Sequence, residues 1–195
     1  MSLHPADESG SVKEVEIDDA VFGAVRTFID SSGGVVMVEG QSVPTATLSL
    51  RGPRTRSDVP IGTRRTDRLS LAVDGTRWSI VPSQGSWSRR SYRVVVERPG
   101  SIWLFTAATS QEHRLVRGAT YRGGNELGMF REVEGVVTAE WSKEVRIGSR
   151  VVVDAPPPMA EECALGYLLA GAFGTGAQLM GPSLVSGLMN ALMPG

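Results

Sequence analysis

Along most of the chain, short runs of alternating apolar and polar residues are separated by Gly, Pro, Asp and Ser, the period-2 pattern of half-buried β-strands. Residues 45–50 alternate cleanly, with Ala46, Leu48 and Leu50 on one face and Thr45, Thr47 and Ser49 on the other. Leu69, Leu71 and Val73 share a face, Asp74-Gly75 supplies a tight turn, and residues 76–81 return with Trp78 and Ile80 in phase. A second hairpin joins 93–98 to 101–107 through Pro99-Gly100. The same signature places strands at 12–17, 24–29, 35–39, 114–117, 128–133, 136–141 and 150–154, with a short one at 145–147. No long segment of helical period interrupts them, which argues against alternating β and α units around a parallel sheet.

The pattern then changes. Ala155-Pro-Pro-Pro158 stops strand pairing, because proline has no N–H to donate. From Cys163 to Gly195 there is no Asp, Glu, Lys, Arg or His. Residues 160–173 (AEECALGYLLAGAF) form a good helix, with Glu161 and Glu162 in the first turn where the dipole favours anions. Beyond that turn the helix is apolar on every side, so protein or lipid must surround it. A membrane span over 163–180 is diluted by Gly166, Gly171, Gly174, Gly176 and Gln178 and lacks a basic flank. A helix beside an open sheet would keep one polar face. A helix inside a closed barrel keeps none, and Gly166, Ala170 and Gly171 suit a narrow bore. The expected fold is therefore mainly β, a closed antiparallel barrel of about 12 strands around a buried hydrophobic C-terminal helix.

This divides the chain into a polar leader without fixed structure at 1–11, one barrel domain at 12–173 with its core helix at 160–173, and a tail at 174–195. The tail reads as a Gly-rich linker and a short amphipathic helix whose stripe carries Leu184, Leu188 and Leu192. That stripe is expected to form a lid or a homodimer contact. Docking on a membrane surface is the alternative, weakened by a polar face without Lys or Arg.

Arg150-Val-Val-Val-Asp154, the proline break and Met159 to Phe173 resemble the last strand and core helix of the tubby-like barrel, the fold of tubby proteins, phospholipid scramblases and the LURP-one-related family. The Asp74-Gly75 hairpin with Trp78 is similar to the strand-turn-strand units of those proteins. The likeness covers residues 12–173 and implies twelve antiparallel strands closed around a central hydrophobic helix. The chain departs from the scramblases in lacking a cysteine-rich palmitoylation cluster and an acidic calcium loop, so calcium-dependent lipid scrambling is not implied.

Composition adds limits. Apolar residues are 41% and charged residues 21% of 195, ordinary globular usage and enough for a core without metal or disulfide staples. The single Cys163 excludes an intramolecular disulfide and a multi-cysteine zinc site. Residues 1–19 are acidic and carry no apolar signal region, so a cytoplasmic location is expected, with peripheral membrane contact as the alternative. Charge is unevenly spread: residues 1–50 hold eight acids against Lys13 and Arg26, whereas 51–98 hold eleven arginines against Asp58, Asp67, Asp74 and Glu97.

Candidate chemistry is sparse. The histidines are His4, in the leader, and His113, expected in a solvated loop; no G-x-S-x-G elbow accompanies them. Two separated histidines and one cysteine do not make a zinc site, and no cofactor is expected. Cys163 reads as a small buried hydrophobe, and Glu132 and Glu134 as a solvent face with Val133 pointing inward. The basic segment remains. Arg64, Arg65 and Arg68 flank one loop, and Arg89 and Arg90 flank another beside Trp87. If these loops converge, their guanidinium forks, which bind phosphate or carboxylate, and the aromatic ring suit an anionic headgroup, a phosphate or single-stranded nucleic acid. The plainer reading is a charged surface in which these arginines pair with the acidic N-terminal third. A sequence pI near 6.2 argues against specific nucleic-acid binding. The expected function is a non-enzymatic binding or interaction module for an anionic small molecule or lipid headgroup. The alternatives are an enzyme with a dispersed site at His113, Glu112 and Tyr121, or a protein associated with a membrane through its C-terminal segment.

Overall fold

In a computed structural model, which describes residues 12–85, 88–147 and 151–175, eleven strands run up and down in sequence order, each pairing antiparallel with the next. They are β1 (Val12–Asp19), β2 (Gly23–Asp30), β3 (Val35–Gly40), β4 (Val43–Leu50), β5 (Leu69–Val73), β6 (Thr76–Pro82), β7 (Val94–Arg98), β8 (Ser101–Ala107), β9 (Glu112–Arg117), β10 (Glu126–Val133) and β11 (Val136–Trp141). The hairpins anticipated from alternation are present: Leu71 pairs with Trp78 and Val73 with Thr76 across Asp74-Gly75, where both turn residues take positive φ.

The sheet curls into a nearly closed barrel around helix α1 (Ala160–Phe173), whose residues from Glu162 to Phe173 are all buried. The apolar segment therefore lies inside the protein's own strands, as its lack of a polar face required. Among the described residues no helix is long and apolar enough to cross a membrane. Inward residues of the wall, among them Val36, Leu48, Leu71, Val96, Phe105 and Phe130, meet Leu165, Leu168 and Leu169 in one core. Each such side chain contributes roughly 1.5–3 kcal/mol on full burial. The bore is narrow. A Cβ on Gly166 would stand 2.0 Å from Cζ of Phe130, so only glycine lets the helix pass that ring.

Closure differs from a continuous ladder. β1 and β11 lie side by side, but among the described residues no ladder joins them, and side chains close the seam. Trp141, at the end of β11, donates its indole N–H to both carboxylate oxygens of Asp19 at 3.0 and 2.9 Å. Tyr167 on α1 donates to Asp19 Oδ2 at 2.8 Å, and the Val21 and Phe22 amides donate to Oδ1 at 2.9 and 3.0 Å. One buried carboxylate thus joins β1, its turn, β11 and the helix. Phe22 packs edge-on against Trp141 at 5.7 Å, and Lys13 donates to the Gly135 carbonyl at the other end of the seam.

Two expectations are corrected. The strand expected at 150–154 as the last of the barrel is β13 (Val151–Asp154), and it pairs with β12 (Glu144–Ile147) in a separate hairpin. The edge of β11 is already covered by β1 and the Asp19 bonds, which leaves no barrel position for it. Val133 does not point inward. A bulge between Glu126 and Gly128 buries both Leu127 and Gly128, Phe130 then faces the core, and Val133 ends 52% exposed. Glu134 lies in the following turn with φ 53°. The leader at 1–11 and the stripe of Leu184, Leu188 and Leu192 lie outside the described residues.

Replacing Gly166 by Ala forces Phe130 to move, and we expect a loss of about 1–3 kcal/mol in urea unfolding. Adding Phe130→Leu should return part of that loss; strictly additive effects would show that the two residues do not meet.

Candidate functional site

The two ends of α1 are held by different chemistry. At its N-terminal end Glu162 is fully buried, and its carboxylate accepts from Arg117 Nε and Nη2 at 2.8 and 2.7 Å, from Trp103 Nε1 at 2.9 Å and from the Met159 amide at 2.9 Å. Four donors fill its four lone-pair positions. The carboxylate in turn raises the pKa of Arg117, first through these hydrogen bonds. Beside it Arg98 bonds Glu161 at 2.6 Å and lies over Trp78 and Trp103, which stack at 5.1 Å. A cleft of about 360 Å³ opens here between Ile102, Met159 and Arg117, but its charged floor is already neutralised.

At the C-terminal end the long loop between β4 and β5 folds over the barrel mouth. Its Ile61 amide donates to the Ala172 carbonyl at 3.0 Å, satisfying a helix-end acceptor, and Val59, Ile61 and Thr63 are buried. Arg54 clasps the loop by donating to the carbonyls of Ser31, Pro60 and Val59. The loop between β6 and β7 approaches from the other side, and Arg56 bridges the two by donating to the Gln84 and Gly85 carbonyls. The two arginine-bearing loops do converge.

Where they meet, Arg64 is 7% exposed, with its guanidinium 5.4 Å from the Tyr92 ring centre and 5.1 Å from that of Phe173, the last residue of α1. Glycine at 85 makes room for it, since a Cβ there would lie 2.8 Å from Arg64 Nε. Nη1 donates to the Ser83 carbonyl at 3.2 Å, Nε has no partner, and no carboxylate among the described residues forms an ion pair with Arg64. Burial lowers its pKa to about 10, and the charge of Arg56 adds to that. It remains a cation at neutral pH. The C-terminal end of a helix is a favourable place for one.

Its neighbours are compensated. Arg56 forks onto Asp58 and Arg65 onto Asp67, and each pairing holds the carboxyl below its usual range, chiefly by the hydrogen bonds. Arg56, Arg64, Arg65, Asp67, Thr55 and Gln84 line a cleft of about 470 Å³. Of the residues anticipated for a ligand, Arg64 and Arg65 line this cleft, whereas Arg68 is held by the Pro53 carbonyl at 2.7 Å. Arg89 lies in a single 3-10 turn (Arg89–Tyr92), Arg90 in the same turn is exposed, and Trp87 lies outside the described residues. Among the described residues no ion pair joins the cluster to the acids of the N-terminal third; its acids are Asp58 and Asp67 from its own loop. The repeated Arg-x-Asp spacing, Arg56-Ser-Asp58 and Arg65-Thr-Asp67, was the signal for this arrangement.

His113 is not in a solvated loop. It is the second residue of β9, fully buried, and stacks on Phe105 at 4.6 Å. Its place in phase with Leu115 was the sign of an inward position. Burial pushes its pKa down to about 4; a hydrogen bond with the Tyr92 backbone opposes the shift and the charge of Arg64 adds to it. Glu112 sits at the start of β9 bonded to Arg131, and Tyr121 lies beyond the other end of that strand beneath Arg114, so these three do not form one site. Cys163 is buried and its thiol pKa is raised by desolvation. No protein-family model, curated protein or solved structure matches the chain.

A histidine held neutral in the fold takes up its proton more readily once unfolded, near pH 6.5, so stability is lost as pH falls from there towards 4. Between pH near 7 and about 4.5, urea unfolding of the parent chain should lose roughly 2–3 kcal/mol more than that of His113→Gln. Equal losses would contradict a neutral buried imidazole.

Proposed function

We propose that the chain is a non-enzymatic binding module that takes an anionic group, of a small molecule or of a lipid headgroup, in the cleft between the β4–β5 and β6–β7 loops. One observation carries the reading. Arg64 is a buried guanidinium with an unpaired Nε and, among the described residues, no carboxylate partner, whereas the buried carboxylates Asp19 and Glu162 are each held by several donors. A buried donor left without a partner costs about 1–3 kcal/mol, and the same guanidinium lines the cleft, where an oxyanion balances its charge. Arg56 and Arg65 stand beside it, each held on its own aspartate, and the barrel interior is filled by α1. Kinship with tubby-like barrels is proposed on the same footing. The enclosed helix supports it, with eleven barrel strands in place of twelve.

The test is binding of dimethyl phosphate, acetate and phosphatidylglycerol vesicles to the parent chain, to Arg64→Gln and to Arg64→Lys, with Arg26→Gln on the barrel wall as the control. We expect Arg64→Gln to weaken binding about ten- to a hundredfold, Arg64→Lys to weaken it less, and the control to bind as the parent does. Retention on vesicles without response to the free anions assigns the headgroup. Thermal unfolding of each variant separates lost binding from lost folding. A parent chain indifferent to every probe, or a folded Arg64→Gln that binds as tightly, would refute the reading.

A further inference from the structure

The charges around the cleft are unequal in a way that bears on its ligand. Arg56 is committed to Asp58 and Arg65 to Asp67, each through two hydrogen bonds, so two of the three guanidinium charges are already balanced. Of the lining arginines Arg64 alone is unbalanced, which leaves these three and their two acids with a single net positive charge; Arg68, near enough to Asp67 to lower its pKa, is tied to the Pro53 carbonyl outside the lining. Asp67 also lines the cleft, and the remaining polar lining from Thr55, Thr66 and Gln84 is neutral. A first negative charge finds Arg64, which lines the cleft and has no carboxylate partner among the described residues. A second must either sit beside the Asp67 carboxylate or pull Arg65 away from it, and in both cases one negative charge is left without a partner.

We infer that the cleft selects singly charged oxyanions, of the phosphodiester or carboxylate kind, over doubly charged ones such as phosphomonoesters, with Asp67 as the residue that rejects the second charge. This rests on the anion-binding reading and deepens it. Rejection is local to the Arg65–Asp67 pair, whose side chains are 57% and 63% exposed, so it can be altered without disturbing the core.

Dimethyl phosphate and methyl phosphate differ by one methyl group but, at about pH 8, by one full charge, since the second pKa of a phosphomonoester is near 6. Titrations of the full chain with each, followed by amide and Arg64 Nε–H NMR shifts, should give a Kd about three- to tenfold lower for dimethyl phosphate. In Asp67→Asn that preference should vanish, with methyl phosphate binding at least as tightly. Methyl phosphate binding equally or better in the parent chain overturns the inference, as does a preference that survives Asp67→Asn, and either result leaves the anion-binding reading standing. If neither anion shifts any resonance, both readings fall. Phosphatidylglycerol vesicles at a matched phosphodiester concentration identify the source: tighter binding to vesicles supports a lipid phosphodiester, and equal binding a free one.

Discussion

A helix of fourteen residues with no polar side is stable in water only where other groups cover its whole circumference. Its ends still carry unpaired backbone groups that need partners. The barrel meets both demands at once. Eleven strands enclose the sides, Glu162 reaches back to the Met159 amide at one end, and the Ile61 amide takes the Ala172 carbonyl at the other. Asp19 ties these parts together, because the same carboxylate receives Trp141 from the far edge of the sheet and Tyr167 from the helix. Without α1 the bore would be a cavity lined by leucine, valine and phenylalanine. With an open seam, α1 would meet water along one side.

Filling the interior has a consequence for function. Many barrels hold ligands inside; here α1 packs onto the wall, Gly166 against Phe130 and Gly171 against Val36, and the proposed anion site lies at a mouth instead. The mouths differ. Around Glu162 each acceptor position is used, which makes that end a structural clamp. Around Arg64 a guanidinium is buried between two aromatic rings with a donor left over. The loop that carries Arg64 also supplies the amide that ends the helix, so the cleft and the core share one element.

Much of this architecture was legible in the chain because it rests on local periodicity. Alternation located the strands, and the charge-free run from Cys163 with acids only in the first turn marked the helix at 160–173 and its burial. What was not legible depends on register and long-range pairing. A bulge at 126–128 reversed the facing of Val133, and a seam closed through Asp19 and Trp141, 122 positions apart, moved 151–154 out of the barrel. His113 was misplaced because its type outweighed its phase with Leu115. Of the residues that line the cleft, Arg64 and Arg65 stood out in the sequence by clustering alone. Their difference in burial, which separates a balanced arginine from an unbalanced one, arises from packing against Phe173, more than a hundred positions downstream.

The lone cysteine reports on whether the strands enclose the helix. Cys163 lies on α1, fully buried, and no other thiol is present to confuse a labelling experiment. If strands enclose the helix, a thiol reagent such as an aromatic disulfide reacts with the native chain only through unfolding, and the rate rises with urea in step with global unfolding. Rapid labelling in native buffer, at the rate seen for the unfolded chain, would contradict an enclosed helix.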